Sequence, residues 1–149
     1  MLRPEQLWRL SSRLHHSGHL RAARAVKLLN SAIYHNSLDP AAIVADDLWF
    51  GHHGFGTVIH GNVTIGPNVR IWHGVTIAVR ASSTMPARVV IEEDVMIGAN
   101  SVVVTPYERG LVIGRGARIG AGTVVSQDVP RGATVVSQPP RILQAGEDD

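Results

Sequence analysis

The chain has 149 residues, 44% of them hydrophobic, enough for one domain with a real core. Its formal net charge of +2 is too small to argue for nucleic acid, and the absence of cysteine excludes disulfides, thiolate metal sites and a cysteinyl intermediate. Only 5% of residues are aromatic while 15 are glycine, so small and β-branched side chains must fill the interior, which suits repetitive, closely stacked backbone.

From Pro4 to about Ser17, Leu7, Leu10 and Leu14 recur at helical spacing, with Pro4 tolerated in a first turn. Ser17-Gly18 breaks this helix, and Leu20, Ala23, Val26, Leu29 and Ile33 mark a second one ending between Tyr34 and Asn36. Neither stripe is wide enough to be a core alone, so the hairpin is expected to pack on the following domain or on another subunit. Arg3, Arg9, Arg13, Arg21, Arg24 and Lys27 crowd these first thirty residues against Glu5 alone. With no stacking pattern or nucleic-acid motif beside them, they read as a solvated helix surface, and no nucleic-acid partner is expected. No apolar run is long enough for a signal-peptide core or a membrane span, so a cytoplasmic protein is expected.

After Asp39-Pro40 the period becomes six. Ile59, Ile65, Ile71 and Ile77 are evenly spaced, followed by Ile91, Ile97 and Val103, then Ile113, Ile119 and Val125. Four places beyond these come small or β-branched residues: Val63, Val69, Val75, Ala81, Val95, Ser101, Ala117, Thr123 and Val129. Gly or Ala often follows the aliphatic directly, as in Ile65-Gly66 and Ile97-Gly98. A period of six fits neither 3.6 nor 3.5 residues per turn. It fits a triangular coil in which each unit supplies one short strand and one turn, and three units close a circuit. The predicted fold is mainly β, a left-handed parallel β-helix of hexapeptide repeats over residues 37–143, with an N-terminal helical hairpin (1–36) and an acidic tail (144–149). The lattice breaks between Ile77 and Ile91 and again between Val103 and Ile113, and these insertions are candidates to line a substrate cleft.

Several motifs in order resemble one family: Leu38-Asp39-Pro40-Ala41-Ala42, His52-His53-Gly54-Phe55-Gly56-Thr57-Val58-Ile59, Ile71-Trp72-His73-Gly74-Val75-Thr76-Ile77 and Ile119-Gly120-Ala121-Gly122-Thr123-Val124-Val125, with Asp128-Val129-Pro130 and Gly132-Ala133-Thr134-Val135-Val136 beyond them. Over roughly residues 38–143 the chain resembles the serine acetyltransferase branch of the hexapeptide-repeat acyltransferases, in a short form without the large helical domain. The resemblance implies direct acetyl transfer from acetyl-CoA to a hydroxyl of a small acceptor, a histidine general base, and clefts between the subunits of a homotrimer.

By that resemblance His53, three residues before Gly56, is the base, with His52 where the family has an aspartate. An alignment with His52 as base stays open. His73 is a second polar position facing the cleft, and Arg80 and Arg88 in the first insertion are candidates to clamp an anionic group of the acceptor. On the cofactor side, Ala99, Gly120 and Ala121 would let a pantetheine arm lie against the backbone, and Arg131 or Arg141 would meet phosphate. The sequence departs from the family in the C-terminal segment, where Ser137 and Pro140 replace a glycine and an alanine, and on the acceptor side. The acceptor loop lacks the Gly-Gly pair and the Arg-His-Pro, and Ser37 stands where an aspartate is expected, so the acceptor is left open. Two other readings compete: a trimeric scaffold without catalysis, and a zinc-dependent lyase of the carbonic anhydrase type. The spacing of His53, His60 and His73 does not match the histidine pair of the latter.

Overall fold

The structure, a computed structural model, describes residues 2–80, 87–107, 109–139 and 141. The expected acidic tail and Met85-Pro86 of the first insertion lie outside the described residues. Two helices, α1 (Pro4–His16) and α2 (Leu20–Tyr34), precede fourteen short strands. In chain order these are β1 (Ser37–Leu38), β2 (Ile43–Val44), β3 (Trp49–Phe50), β4 (Val58–Ile59), β5 (Val63–Ile65), β6 (Arg70–Ile71) and β7 (Thr76–Ala78), then β8 (Val89–Ile91), β9 (Met96–Ile97), β10 (Val102–Val104), β11 (Leu111–Ile113), β12 (Arg118–Ile119), β13 (Val124–Val125) and β14 (Thr134–Val135). A single 3₁₀ turn, Gly51–Gly54, separates β3 from β4.

Every third strand pairs in parallel, which makes three sheets wound as a β-helix. The first has the order β1-β4-β7-β10-β13, the second β2-β5-β8-β11 and the third β3-β6-β9-β12-β14. The register advances from Val58 to Thr76, three six-residue units along, so the sequence period is the circuit. All ten lattice aliphatics, from Ile59 to Val125, are buried, as are Val63, Val69, Val75, Val95, Ser101, Ala117, Thr123 and Val129 beside them. Burying a side chain of this size contributes about 1.5–3 kcal/mol each, set against the ordering of the backbone. Where circuits meet at corners the fit is close: a Cβ on Gly98 would lie 2.5 Å from the backbone nitrogen of Ala121.

Extra residues leave the coil in two corners. Both insertions fall between a strand of the first sheet and one of the second, and the described residues at their ends are bonded to one another: the Arg80 N–H donates to Thr105 Oγ1 (2.7 Å) and the Leu111 N–H to the Arg88 carbonyl (3.0 Å). The Gly51–Gly54 turn leaves at a different corner, from the third sheet toward the first.

The hairpin packs on the first circuit. Trp8, fully buried, donates its indole N–H to the Asp39 carbonyl (2.8 Å) and stacks at 6.0 Å on Phe50, while Ser12 Oγ donates to the Ala42 carbonyl (2.8 Å). The helix faces differ from the sequence expectation. Leu10, Leu20, Leu29 and Ile33 are exposed, whereas Ser11, Ser12, Ala23, Asn30 and Tyr34 are buried. Small and hydrogen-bonded side chains allow close approach, and Asn30 Nδ2 meets its need by donating to the Pro4 carbonyl (3.0 Å). Pro4 begins α1 without wasting an amide, and the Arg3 N–H is capped by Gln6 Oε1 at 2.8 Å.

Candidate active site

The Gly51–Gly54 turn is unusual in its backbone. His52 (φ 50°), His53 (φ 57°) and Gly54 (φ 58°) are consecutive left-handed residues, a conformation that costs a non-glycine residue roughly 1–2 kcal/mol. It persists because its surroundings over-determine it. Gly51 is wedged between two indoles, since a Cβ there would lie 2.9 Å from Trp72 Cδ1 and 3.2 Å from Trp49 Cη2. Gly54 sits on the Phe50 ring, 3.0 Å from an added Cβ. The result presents two exposed imidazoles from adjacent residues.

Each imidazole rests on a different ring. His53 stacks on Tyr34 at the end of α2 (centroids 5.7 Å, interplanar 30°), and the Tyr34 hydroxyl is itself fixed by donating to the Leu2 carbonyl (2.6 Å). His52 meets the half-buried His73 edge to face (4.9 Å, 87°), and His73 Nδ1 is buried without a hydrogen-bond partner among the described residues. Both His52 and His53 open into a cleft of about 390 Å³, whose other lining residues are Arg3, Glu5, Trp49 and Phe50.

Directly along the same corner lies a second, apolar groove of about 340 Å³. It is lined by Trp72, Met96, Gly98, Ala99, Arg118, Ile119, Gly120, Ala121 and Thr134, so Ala99, Gly120 and Ala121 come together as the sequence reading places them. Trp72 and Trp49 pack edge to face at 5.4 Å, and this indole pair forms the partition between groove and histidine cleft.

The remaining candidates lie elsewhere on the chain. Arg80 is exposed at the root of the first insertion, and Arg88 donates through Nη1 to Thr64 Oγ1 (3.0 Å), both at the corner away from His53. Arg131 lines a cleft with Glu92, Glu93 and Arg115 at the third corner, not the apolar groove, and Arg141 is exposed. His60 accepts the Asn62 N–H through Nδ1 (3.0 Å), which is a corner role. Sequence reasoning missed Glu5, Tyr34, Trp49 and Arg118. Only Glu5 left a mark, as the single acid in a basic segment.

The coil is triangular and parallel with small residues at its corners, and residues 88–127 match the hexapeptide repeat of succinyl-transferase. In fold and repeat sequence the chain is similar to serine acetyltransferases. It is 38% identical over 95 residues to a serine acetyltransferase of Bacillus licheniformis, an alignment covering 64% of this chain and 42% of that protein. It is 40% identical over 85 residues to a 2,3,4,5-tetrahydropyridine-2,6-dicarboxylate N-acetyltransferase of Staphylococcus aureus, covering 56% and 34%. It superposes with a TM-score of 0.78 and 29% identity on a serine acetyltransferase from Brucella abortus strain S19 in complex with coenzyme A, covering 93% of this chain and 53% of that one. The matches thus span less than half the length of these two curated relatives. Among the described residues, no helix is long and apolar enough to cross a membrane.

Proposed function

We propose that the protein is an acetyl-CoA-dependent O-acetyltransferase acting on a small hydroxyl-bearing acceptor, with His53 as general base. The observation that carries this reading is the placing of histidine turn and apolar groove along one corner, with Trp49 of the cleft in edge-to-face contact with Trp72 of the groove. The groove suits a pantetheine arm: its floor is the small residues Ala99, Gly120 and Ala121, and Arg118 at its side offers a cation. Relatives that act as acetyltransferases, one bound to coenzyme A, support acetyl-CoA as co-substrate. Such a dependence goes with the cytoplasm, where the acyl-CoA pool lies.

In the proposed reaction an imidazole nitrogen of His53 takes the acceptor hydroxyl proton as its oxygen attacks the thioester carbonyl carbon. The tetrahedral oxyanion collapses, the carbon–sulfur bond breaks, and the imidazolium returns the proton to the leaving thiolate. The products are an acetyl ester and free CoA. No cysteinyl intermediate is involved, in keeping with the composition.

The same reading includes a homotrimer. The outward side chains of the first sheet include Val58 (45% exposed) and Val124 (66% exposed), with Thr76 and Val102 between them in register, and the second sheet carries Ile43 and Val112 exposed. Arg80 and the insertions stand at the far edge of the first sheet from His53, so a neighbouring copy is needed to bring the two together. The test is CoA release from acetyl-CoA over a panel of serine, hydroxylated sugars and aminoglycosides. Turnover in the wild type should fall by about a hundred- to ten-thousandfold in His53→Ala. Release unchanged in His53→Ala removes it as the base, and a protein that binds no CoA is the scaffold instead.

A further inference from the structure

Helix α2 has one face that packs and one that does not. Ala23, Asn30 and Tyr34 are buried toward α1 and β1. On the opposite side Ala22, Ala25, Leu28, Leu29, Ala32 and Ile33 are all exposed, Leu28 by 67% and Leu29 by 51%. Exposed aliphatics scattered singly are ordinary, but these lie together on one side of one helix, and the fold makes no use of them. Arg21 stands in the first turn of this face and Arg24 at its edge, and α2 contains no acid. Among the described residues neither arginine is in an ion pair. The charge of the chain is divided the same way: residues 1–36 hold six basic residues against one acid, and the remainder eight against eleven.

At the edge where Arg24 sits, α2, the end of α1 and the turn after β1 line a cleft of about 280 Å³. Arg24, Lys27 and the imidazole of His15 face it together with the exposed Leu20. Its one carboxylate is Asp39, whose Oδ1 accepts the Ala41 N–H (2.9 Å) and whose Oδ2 lies 4.0 Å from Lys27 Nζ. One acid against two full cations leaves the cleft positive, which suits a phosphate. An aliphatic helix face bordered by cations is the pattern of a helix that lies in a membrane interface. We propose that α2 docks the protein on an anionic phospholipid bilayer. Leu28, Leu29 and Ile33 enter the boundary between headgroups and acyl chains, Arg21 and Arg24 hold lipid phosphates beside them, and the cleft with Lys27 receives a further one. Two other occupants fit less well. A second copy paired through a twofold axis would bring the same face, with no acid on α2 to meet its arginines. Single-stranded nucleic acid stacks on aromatic rings, and this face is aliphatic. The inference concerns where the protein works and stands apart from the acetyl-transfer reading.

Co-sedimentation of the full chain with phosphatidylcholine vesicles, with and without about one-third phosphatidylglycerol, tests it. The wild type should bind the anionic vesicles at least about tenfold more tightly than the neutral ones, and added salt should weaken that binding. Leu28→Gln with Leu29→Gln should weaken it by about ten- to a hundredfold, and Arg21→Gln with Arg24→Gln by about tenfold. All four side chains are exposed, so both variants should keep the wild-type circular dichroism spectrum. His53→Ala, which leaves α2 untouched, should bind as the wild type does. Equal binding to the two kinds of vesicle, no binding to either, or wild-type affinity in either folded variant overturns the proposal. Light scattering without lipid tests the rival occupant. A wild-type mass that falls in the leucine variant, with no binding to vesicles, assigns the face to a second copy and overturns the bilayer.

Discussion

The position of the His53 ring is set by two residues far apart in sequence, because its left-handed backbone aims it and Tyr34 limits its rotation. A stack of this kind is worth about 0.5–1.5 kcal/mol, so losing it converts to roughly a two- to tenfold fall in rate if His53 acts as base. Tyr34→Leu is therefore expected to lower kcat by that factor with KM for acetyl-CoA unchanged. Tyr34→Phe keeps the ring and should keep most of kcat, although it gives up the hydrogen bond to the Leu2 carbonyl. Steady-state kinetics on the two variants checks this, and equal losses in both would assign the effect to the hydroxyl. The histidines were legible in the sequence because they sit beside glycines at fixed spacing in a repeat. Tyr34 and Glu5 were not, since their places beside the histidine turn arise only when α1 and α2 fold back onto β3 and the turn behind it. Arg131 shows the converse limit: motif order put it beside the cofactor candidates, but its corner of the triangle is another one.

The helical hairpin shows how an element can be recognised while its orientation is not. Helical spacing located α1 and α2 and the Ser17-Gly18 break, where Gly18 takes φ 86°. Hydrophobicity then favoured Leu20, Leu29 and Ile33 as the inner stripe of α2, and all three are exposed. The inner face is chosen by fit, since Ala23, Ser11 and Asn30 let the two helices approach each other and leave room for a single large anchor, Trp8. Removing that anchor should cost about 3–5 kcal/mol, because it empties a fully enclosed site and gives up the indole's hydrogen bond to the Asp39 carbonyl. Trp8→Ala is expected to lower the unfolding free energy obtained from chemical denaturation by that amount and to loosen the cleft at His52 and His53, whose lining includes the first turn of the same helix. Leu29→Ala, on the exposed face of α2, should change stability by no more than about 0.5 kcal/mol.

At the scale of the whole molecule, the six-residue period announced the circuit, and counting units along it already fixes which corner each insertion leaves. The corner matters more than the insertion. Histidine turn and groove share one corner, and the insertions with Arg80 and Arg88 share the next, separated by the width of the first sheet. A β-helix is stiff across its faces, because each strand is bonded to the circuits above and below, so bending cannot close that gap. The proposed homotrimer would close it by setting the insertion corner of one copy beside the histidine corner of the next. The surface that such an assembly would cover is the outer face of the first sheet, where Val58 and Val124 are exposed. Placing arginine at both positions leaves the buried lattice untouched, since these side chains point away from it, but puts unpaired charges into the contact. Light scattering on the wild type should give three times the chain mass, and the double variant Val58→Arg, Val124→Arg should give one, with an unchanged β-sheet circular dichroism spectrum. Its acetyl transfer should be lost, as no neighbour completes the site. A wild type that weighs one chain and still turns over acceptor would mean that the cleft formed by α1 and the histidine turn is sufficient within one copy.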